Sequence, residues 1–270
     1  MKKQLQVGLM AGVAVLCTGA FASDDTEGPK PQMFAIFKDV VIPSKTHQYE
    51  TALKYMISEF EAYDIDAEMV NFRVLSGPEL GYVFVIPIEN FAAIDRMQEN
   101  WKAAAAIIGT EKFTGMMEAM ESAIHHVDSF HVVRRADLSY SPETPSLEPD
   151  EVTYVHYAFY YVTHNKKKQF AELAREFAEL YESRNIGLGW TIYESITGAD
   201  LPVFVVAQAA KSQSDYYTRR DEVHELLGEE GKQLGKKALT LVRRVEHKDG
   251  WTRPELSYPA PETAESPDTD

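Results

Sequence analysis

The chain has 270 residues and a formal charge of −15, with 42 acidic residues against 27 Lys and Arg. An acidic surface of this kind excludes binding along a phosphate backbone, which needs a dense array of cations. Its one cysteine, Cys17, falls in an N-terminal stretch with the layout of a secretory signal peptide: Lys2 and Lys3, an apolar run from Val7 to Leu16, then Ala20-Phe21-Ala22. Cleavage near Ala22 would leave a cysteine-free protein, periplasmic or secreted, without disulfides, thiolate chemistry or iron-sulfur clusters.

From Met33 to Ile42 the chain is apolar and β-prone, and Pro43 ends that strand. Tyr49, Ala52, Leu53, Met56 and Phe60 then recur with helical spacing. Residues 65–86 form two apolar β-rich runs around Gly77, a predicted hairpin. A second helix carries Phe91, Ile94 and Trp101, is broken at Gly109 and resumes through Phe113, Met116, Met117 and Met120. His126 to Arg135 reads as a fourth strand.

The plan then repeats 121 residues later. Phe170, Leu173, Ala174, Phe177 and Tyr181 reproduce the first helix stripe, and residues 186–207 reproduce the hairpin without a gap. A helix from about Ser214, broken near Gly228, leads to a last strand at Ala238 to Val245. Arg134-Arg135 recurs as Arg243-Arg244, and Leu138-Ser139-Tyr140 as Leu256-Ser257-Tyr258. The expected fold class is α+β, two tandem ferredoxin-like β-α-β-β-α-β repeats. The signal peptide takes 1–22, the first repeat 33–137, a Pro/Glu-rich linker 138–151, the second repeat 152–247 and a disordered acidic tail 259–270.

With G-W-T-I-Y-E-S-I-T-G at 189–198 and R-R-A-D-L-S-Y at 134–140, the doubled unit resembles the dimeric α/β-barrel superfamily. That group includes NIPSNAP-like proteins, antibiotic-biosynthesis monooxygenases and, more distantly, the haem-binding chlorite dismutases. The resemblance implies two sheets facing each other around a central cavity, here within one chain, so that a monomer is expected.

Strand alternation divides the hairpin into two faces. Val70, Phe72 and Val74 are assigned to the helices; Met69, Asn71 and Arg73, with Trp190, Ile192 and Glu194 in the copy, are assigned to the lumen. Arg73 and Glu194 are equivalent positions that could approach each other across the barrel, as a clamp, an acid/base pair or a structural ion pair. On the first strand of the second repeat, His156 and Tyr160 join that face, with Asp39 the first-repeat match of Tyr160. The expected ligand site is thus Asn71, Arg73, His156, Tyr160, Trp190 and Glu194, in a lumen where Trp190, Ile192 and Met69 stand beside a few orienting polar groups. His125, His126 and His131 differ in strand parity, so no metal site is expected.

These residues suit a protein that holds a small apolar or aromatic ligand between its sheets. The resemblance implies two alternatives: a cofactor-independent monooxygenase acting on a phenol or quinol, with His156 or Glu194 as base, and a haem protein with a histidine ligand. A packed lumen would instead leave the outer surface as an interaction platform. No nucleic acid partner, transmembrane segment or other cofactor is expected, and the sequence has no Gly-rich phosphate loop, G-x-S-x-G elbow or H-E-x-x-H.

Overall fold

The computed structural model describes residues 32–258 except 68, 77, 78 and 199; the predicted signal peptide and acidic tail lie outside the described residues. Eight strands form a closed antiparallel barrel. They are β1 (Met33–Val41), β2 (Val70–Ser76), β3 (Glu79–Ile88), β4 (Ile124–Arg134), β5 (Tyr154–Val162), β6 (Thr191–Ser195), β7 (Val203–Ala210) and β8 (Val242–Thr252). Around the barrel they run β1-β3-β2-β8-β5-β7-β6-β4. The first half contributes β4-β1-β3-β2 and the second β8-β5-β7-β6, joined at two seams, β2 to β8 and β4 to β6. Closure leaves no strand edge exposed.

Outside the barrel lie α1 (Thr46–Ala62), α2 (Ala92–Ile108) and α3 (Thr110–Glu121) over the first half, and α4 (Lys167–Ser183) and α5 (Gln213–Leu241) over the second. Helices α1 and α4 end alike. Asp64 (φ 52°) and Asn185 (φ 51°) adopt the left-handed conformation. Ile65 N–H then bonds Phe60 O at 3.0 Å, and Ile186 N–H bonds Tyr181 O at 3.1 Å. This is the Schellman ending, in which a residue beyond the helix closes on an orphan carbonyl and an apolar contact seals the turn. Gly109 (φ 101°) separates α2 from α3, and Gly228 (φ 57°, ψ −139°) breaks α5.

The two halves share one order of strands and helices, and their registers depart from the expected sequence repeat in three places. Asn71 pairs Phe84 while Ile192 pairs Val206, so the second hairpin holds one more residue than the first, and the gapless match of Phe84 to Val205 is off by one. The final strand begins at Val242 and continues to Thr252, because Ala238 to Leu241 complete α5. Finally, β4 and β8 correspond at a spacing of 118, which aligns Arg135 with Arg253 and places Arg243-Arg244 opposite His125-His126.

That last alignment exposes a reciprocal clasp. Residues 135–140 leave β4 and run along β6, where Ile192 N–H donates to Ser139 Oγ at 2.9 Å and Tyr140 Oη donates to Ile186 O at 3.0 Å. Residues 253–258 do the same along β2: Asn71 N–H donates to Ser257 Oγ at 2.9 Å and Tyr258 Oη donates to Ile65 O at 2.9 Å. Leu138 is fully buried in the second-half core and Leu256 in the first-half core. The stretch expected as a linker from 138 therefore begins inside the other half's core.

The two faces of every strand are the reverse of the expectation. The lumen is lined by Phe34, Ile36, Phe72, Val74, Tyr193 and Val205 with other apolar side chains from both halves, and about 100 Å³ remains open there. Asn71, Arg73, His156, Tyr160, Trp190 and Glu194 all lie on the outer side, toward helices and clasps. Alternation separates two faces without saying which is inner. Eight strands leave an interior just wide enough for side chains to fill, so the predominantly apolar face goes inside, with Lys38 and Lys248 the charged side chains that line it.

Candidate functional site

A cavity of about 700 Å³ lies between the outer face of the second-half sheet and helices α4 and α5. Phe170, Phe177 and Tyr181 come from α4, Trp190 from just before β6, Ile192 from β6 and Leu227 from the middle of α5. The volume and lining are those of a small-molecule site, mostly apolar with a few convergent polar groups. Trp190 is fixed by its indole N–H bond to Leu138 O at 3.3 Å and by an edge contact with Tyr181, ring centres 4.3 Å apart.

The first half has the same elements, packed differently. There Trp101, Phe113, Met116, Met117 and Met120 from α2 and α3 pack into the core with Phe60. Counted from the helix breaks at Gly109 and Gly228, Trp101 corresponds to Arg220, Phe113 to Lys232 and Met116 to Gly235. All three second-half residues line the cavity. A Cβ on Gly235 would meet nothing within 4 Å. The cavity therefore exists because α5 lacks the bulky side chains that plug the first half.

Its polar groups form two sets. Tyr217, Arg220, His224 and Lys232 line it from α5; Tyr217, His224 and Lys232 are exposed at its mouth, where Arg220 pairs with Asp221 at 3.0 Å and Lys232 lies 3.9 Å from Glu229. Deeper, His156 of β5 is buried and stacks on the Tyr216 ring at 4.4 Å. Its Nδ1 lies 3.2 Å from Asp249 Oδ1 and its Nε2 lies 3.0 Å from His247 Nδ1. Asp249 also accepts from the Tyr154 hydroxyl and from Gln213 Nε2 at 3.1 Å. Burial pushes the His156 imidazole below its ordinary range, against the pull of Asp249. The hydroxyls of Tyr160, Tyr181 and Tyr216 are held above the ordinary phenol range by burial, and so stay protonated.

Of the six expected site residues, His156, Tyr160 and Trp190 line this cavity. The other three do not. Glu194 is buried in a pairing with Arg135 and Lys167 at the β4–β6 seam. Arg73 is exposed on β2 beside the opposite seam, so the two residues make no clamp across the barrel. Asn71 is wholly buried in the first half, and neither polar atom of its side chain has a hydrogen-bond partner. An unsatisfied buried amide costs about 1–3 kcal/mol. Asn71→Val should accordingly raise the melting temperature, measured by calorimetry, without changing the second-half cavity.

Glu50 of α1 is the anchor of the first-half clasp, accepting from Arg253 Nη1 at 2.7 Å and from the Tyr82 hydroxyl. Chiefly through the Arg253 bond, its carboxyl is held down at about 2, against 4.5 for a free glutamate. A group depressed in the folded state contributes stability above its unfolded value and loses it as pH falls through the folded one. Stability should therefore drop as pH falls from about 4.5 to about 2. Glu50→Gln should flatten that limb of a plot of melting temperature against pH.

Sequence reasoning missed His247 and Asp249, since both lie beyond the predicted end of the last strand at Val245. It also left α5 unread as a cavity wall, although Arg220, Lys232 and Gly235 in place of Trp101, Phe113 and Met116 were a usable signal.

No family model and no curated relative matches the sequence. Solved structures show the fold. A putative monooxygenase from Fusobacterium nucleatum subsp. nucleatum aligns at TM-score 0.52 and 9% identity, over 82% of this chain and 92% of that one. An anthrone oxidase-like protein aligns at TM-score 0.54 and 11% identity, over 83% and 92%. A mutant chlorite dismutase from Candidatus Nitrospira defluvii aligns at TM-score 0.49 and 11% identity, over 83% and 92%. The class defined is an α+β protein with a closed eight-stranded antiparallel barrel and outer helices, the dimeric α/β-barrel fold within one chain. Among the described residues no helix is long and apolar enough to cross a membrane.

Proposed function

We propose that this protein binds a small, flat, aromatic or apolar molecule in the second-half cavity, with a polar end near Arg220 and Lys232. The observation that carries the reading is the asymmetry of the two halves: one core is plugged by Trp101, Phe113 and Met116, and the other presents Arg220, Lys232 and Gly235 around about 700 Å³. A recess of this volume, lined mostly by apolar and aromatic side chains with a few polar groups, has the character of a small-molecule site. On this reading the halves are tandem ferredoxin-like repeats, the intramolecular barrel makes a second chain unnecessary, and the mature monomer is exported after cleavage near Ala22.

The test uses residues 23–270 purified from an exporting host, with native mass spectrometry for a retained molecule and titration with 8-anilinonaphthalene-1-sulfonate, an aromatic anion. A retained ligand, or saturable one-site binding weakened by Arg220→Glu, is expected. Neither a retained molecule nor binding of the probe would overturn the reading.

Haem, implied by the resemblance to chlorite dismutases, also suits these residues. His224 faces the cavity with no hydrogen-bond partner among the described residues, and Arg220 and Lys232 would meet the haem carboxylates. When bound, the haem iron would supply redox chemistry. A Soret band on haem titration, abolished in its ligand-field features by His224→Ala, is the expected signature of this second reading.

A further inference from the structure

We propose that Lys248 is a nucleophilic amine at one end of the barrel lumen and that it binds a small uncharged aliphatic aldehyde as an imine, with the aldehyde's chain in the apolar lumen and Lys38 as the neighbouring cation. This site lies inside the barrel and is independent of the second-half cavity, whose occupant it leaves open.

Two lysines interrupt a largely apolar lumen wall, Lys38 on β1 and Lys248 on β8. They occupy exchanged positions in the two halves. At the spacing of 121 that relates β1 to β5, Lys38 corresponds to Phe159; at the spacing of 118 that relates β4 to β8, Phe130 corresponds to Lys248. All four line the lumen. Each half thus supplies one lysine and one phenylalanine, and Lys248 Nζ sits 4.5 Å from the centre of the Phe159 ring.

The two amines are held differently. Lys38 Nζ lies 2.9 Å from Glu79 Oε2 and 3.6 Å from Asp128 Oδ2, an ion-paired ammonium on a buried side chain. Gly81 makes room for its stem, since a Cβ there would lie 2.8 Å from Lys38 Cε. Lys248 meets Glu246 Oε2 only at 4.0 Å, and that oxygen already accepts from the Tyr161 hydroxyl at 3.0 Å. The titratable groups facing Lys248 are Lys38 on β1, Glu79 on β3, Asp128 with its neighbour His126 on β4, Tyr157 on β5 and Glu246 on its own strand. Burial, with Lys38 pushing the same way, holds the Lys248 ammonium below the ordinary lysine range, against the pull of the three carboxylates. An amine desolvated on an apolar wall beside another cation is the kind of lysine that forms imines with carbonyl compounds.

The step balances without an oxidant or reductant. The nitrogen lone pair adds to the carbonyl carbon, the C=O π pair moves to oxygen, and that oxygen leaves as water with both hydrogens of the amine. The open space of about 100 Å³ suits a short chain. Glu79, Asp128 and Glu246 surround this end of the lumen with negative charge, which disfavours an aldehyde that carries a carboxylate or phosphate.

The experiment treats the full mature chain with propanal and sodium cyanoborohydride, which reduces an imine to a stable secondary amine, at a pH of about 8, below the ordinary lysine range. Peptide mass spectrometry then ranks the labelled lysines. Lys248 should be alkylated at least about tenfold faster than the exposed Lys54 and Lys102, and the preference should vanish in protein unfolded by urea. With glyoxylate, a small anionic aldehyde, it should fall at least about fivefold. Lys38→Met should also lower the propanal preference, because the neighbouring cation is gone and Glu79 and Asp128 then act on Lys248 uncompensated. Labelling of Lys248 no faster than of Lys54, a preference that survives urea, or an equal preference for glyoxylate overturns the proposal. So does an unchanged preference in a folded Lys38→Met protein.

Discussion

Lys232→Phe combined with Gly235→Met should abolish ligand binding and make the protein more stable. The pair rebuilds in the second half the plug that Phe113 and Met116 form in the first. Gly to Met in a helix recovers about 1 kcal/mol of propensity, and burying the thioether adds about 1.5–3 kcal/mol of transfer free energy. For a domain of this size that corresponds to a rise in melting temperature of about 5–10 °C. Affinity for the aromatic anion should fall at least about a hundredfold, since the added side chains occupy the space it needs. Calorimetry and the same titration check both parts. Unchanged binding in a stabilised double variant would mean that the occupant sits elsewhere.

Leu256→Ala should destabilise the half of the molecule from which it is most remote in sequence. Leu256 lies just after β8 yet is fully buried in the first-half core with Tyr49, Leu53 and Phe60. Truncating a buried leucine costs about 2–5 kcal/mol, the upper part where the surroundings cannot collapse. Leu138→Ala should cost a similar amount through the second half, because Leu138 occupies the equivalent place beside Phe170 and Leu173. Hydrogen exchange measured by mass spectrometry distinguishes the two: protection should fall first in α1 for Leu256→Ala and first in α4 for Leu138→Ala. Equal losses in both halves would show that the clasps act only through global stability.

Much of the architecture was legible because it rests on local periodicity. The helix stripes of α1 and α4, and the Arg-x-Asp/Glu-Leu-Ser-Tyr clasp, are each written twice. A doubled pattern is hard to produce by chance. Legibility failed where a decision depended on what a segment packs against. The β8 strand reads as polar, VRRVEHKDGWT, because its backbone is paired on both sides while much of its outer face meets solvent; its end was therefore set too early, and Asp249 and His247 were passed over. One extra residue in the second hairpin displaced every later position on β7 to the opposite face.

The site was half legible. His156, Tyr160 and Trp190 were selected as a group by alternation, and they do lie together. Asn71, Arg73 and Glu194 belonged to the same set of strand faces but not to the same cavity. The inference needed which halves of the molecule are filled, and that depends on the bulk contributed by helices across the core.

The sequence by itself determined the order of strands and helices, the acidic composition with its single cysteine and the division of strand residues into two faces, because each is read along one chain. Only the tertiary structure decided which face is inner, that residues 135–140 and 253–258 cross into the opposite half, and that the open space lies under α4 and α5 instead of inside the barrel. Those outcomes turn on volume. Eight strands close around little more than their own side chains, and a glycine or a long cation leaves room under a helix only when no neighbouring chain segment fills it.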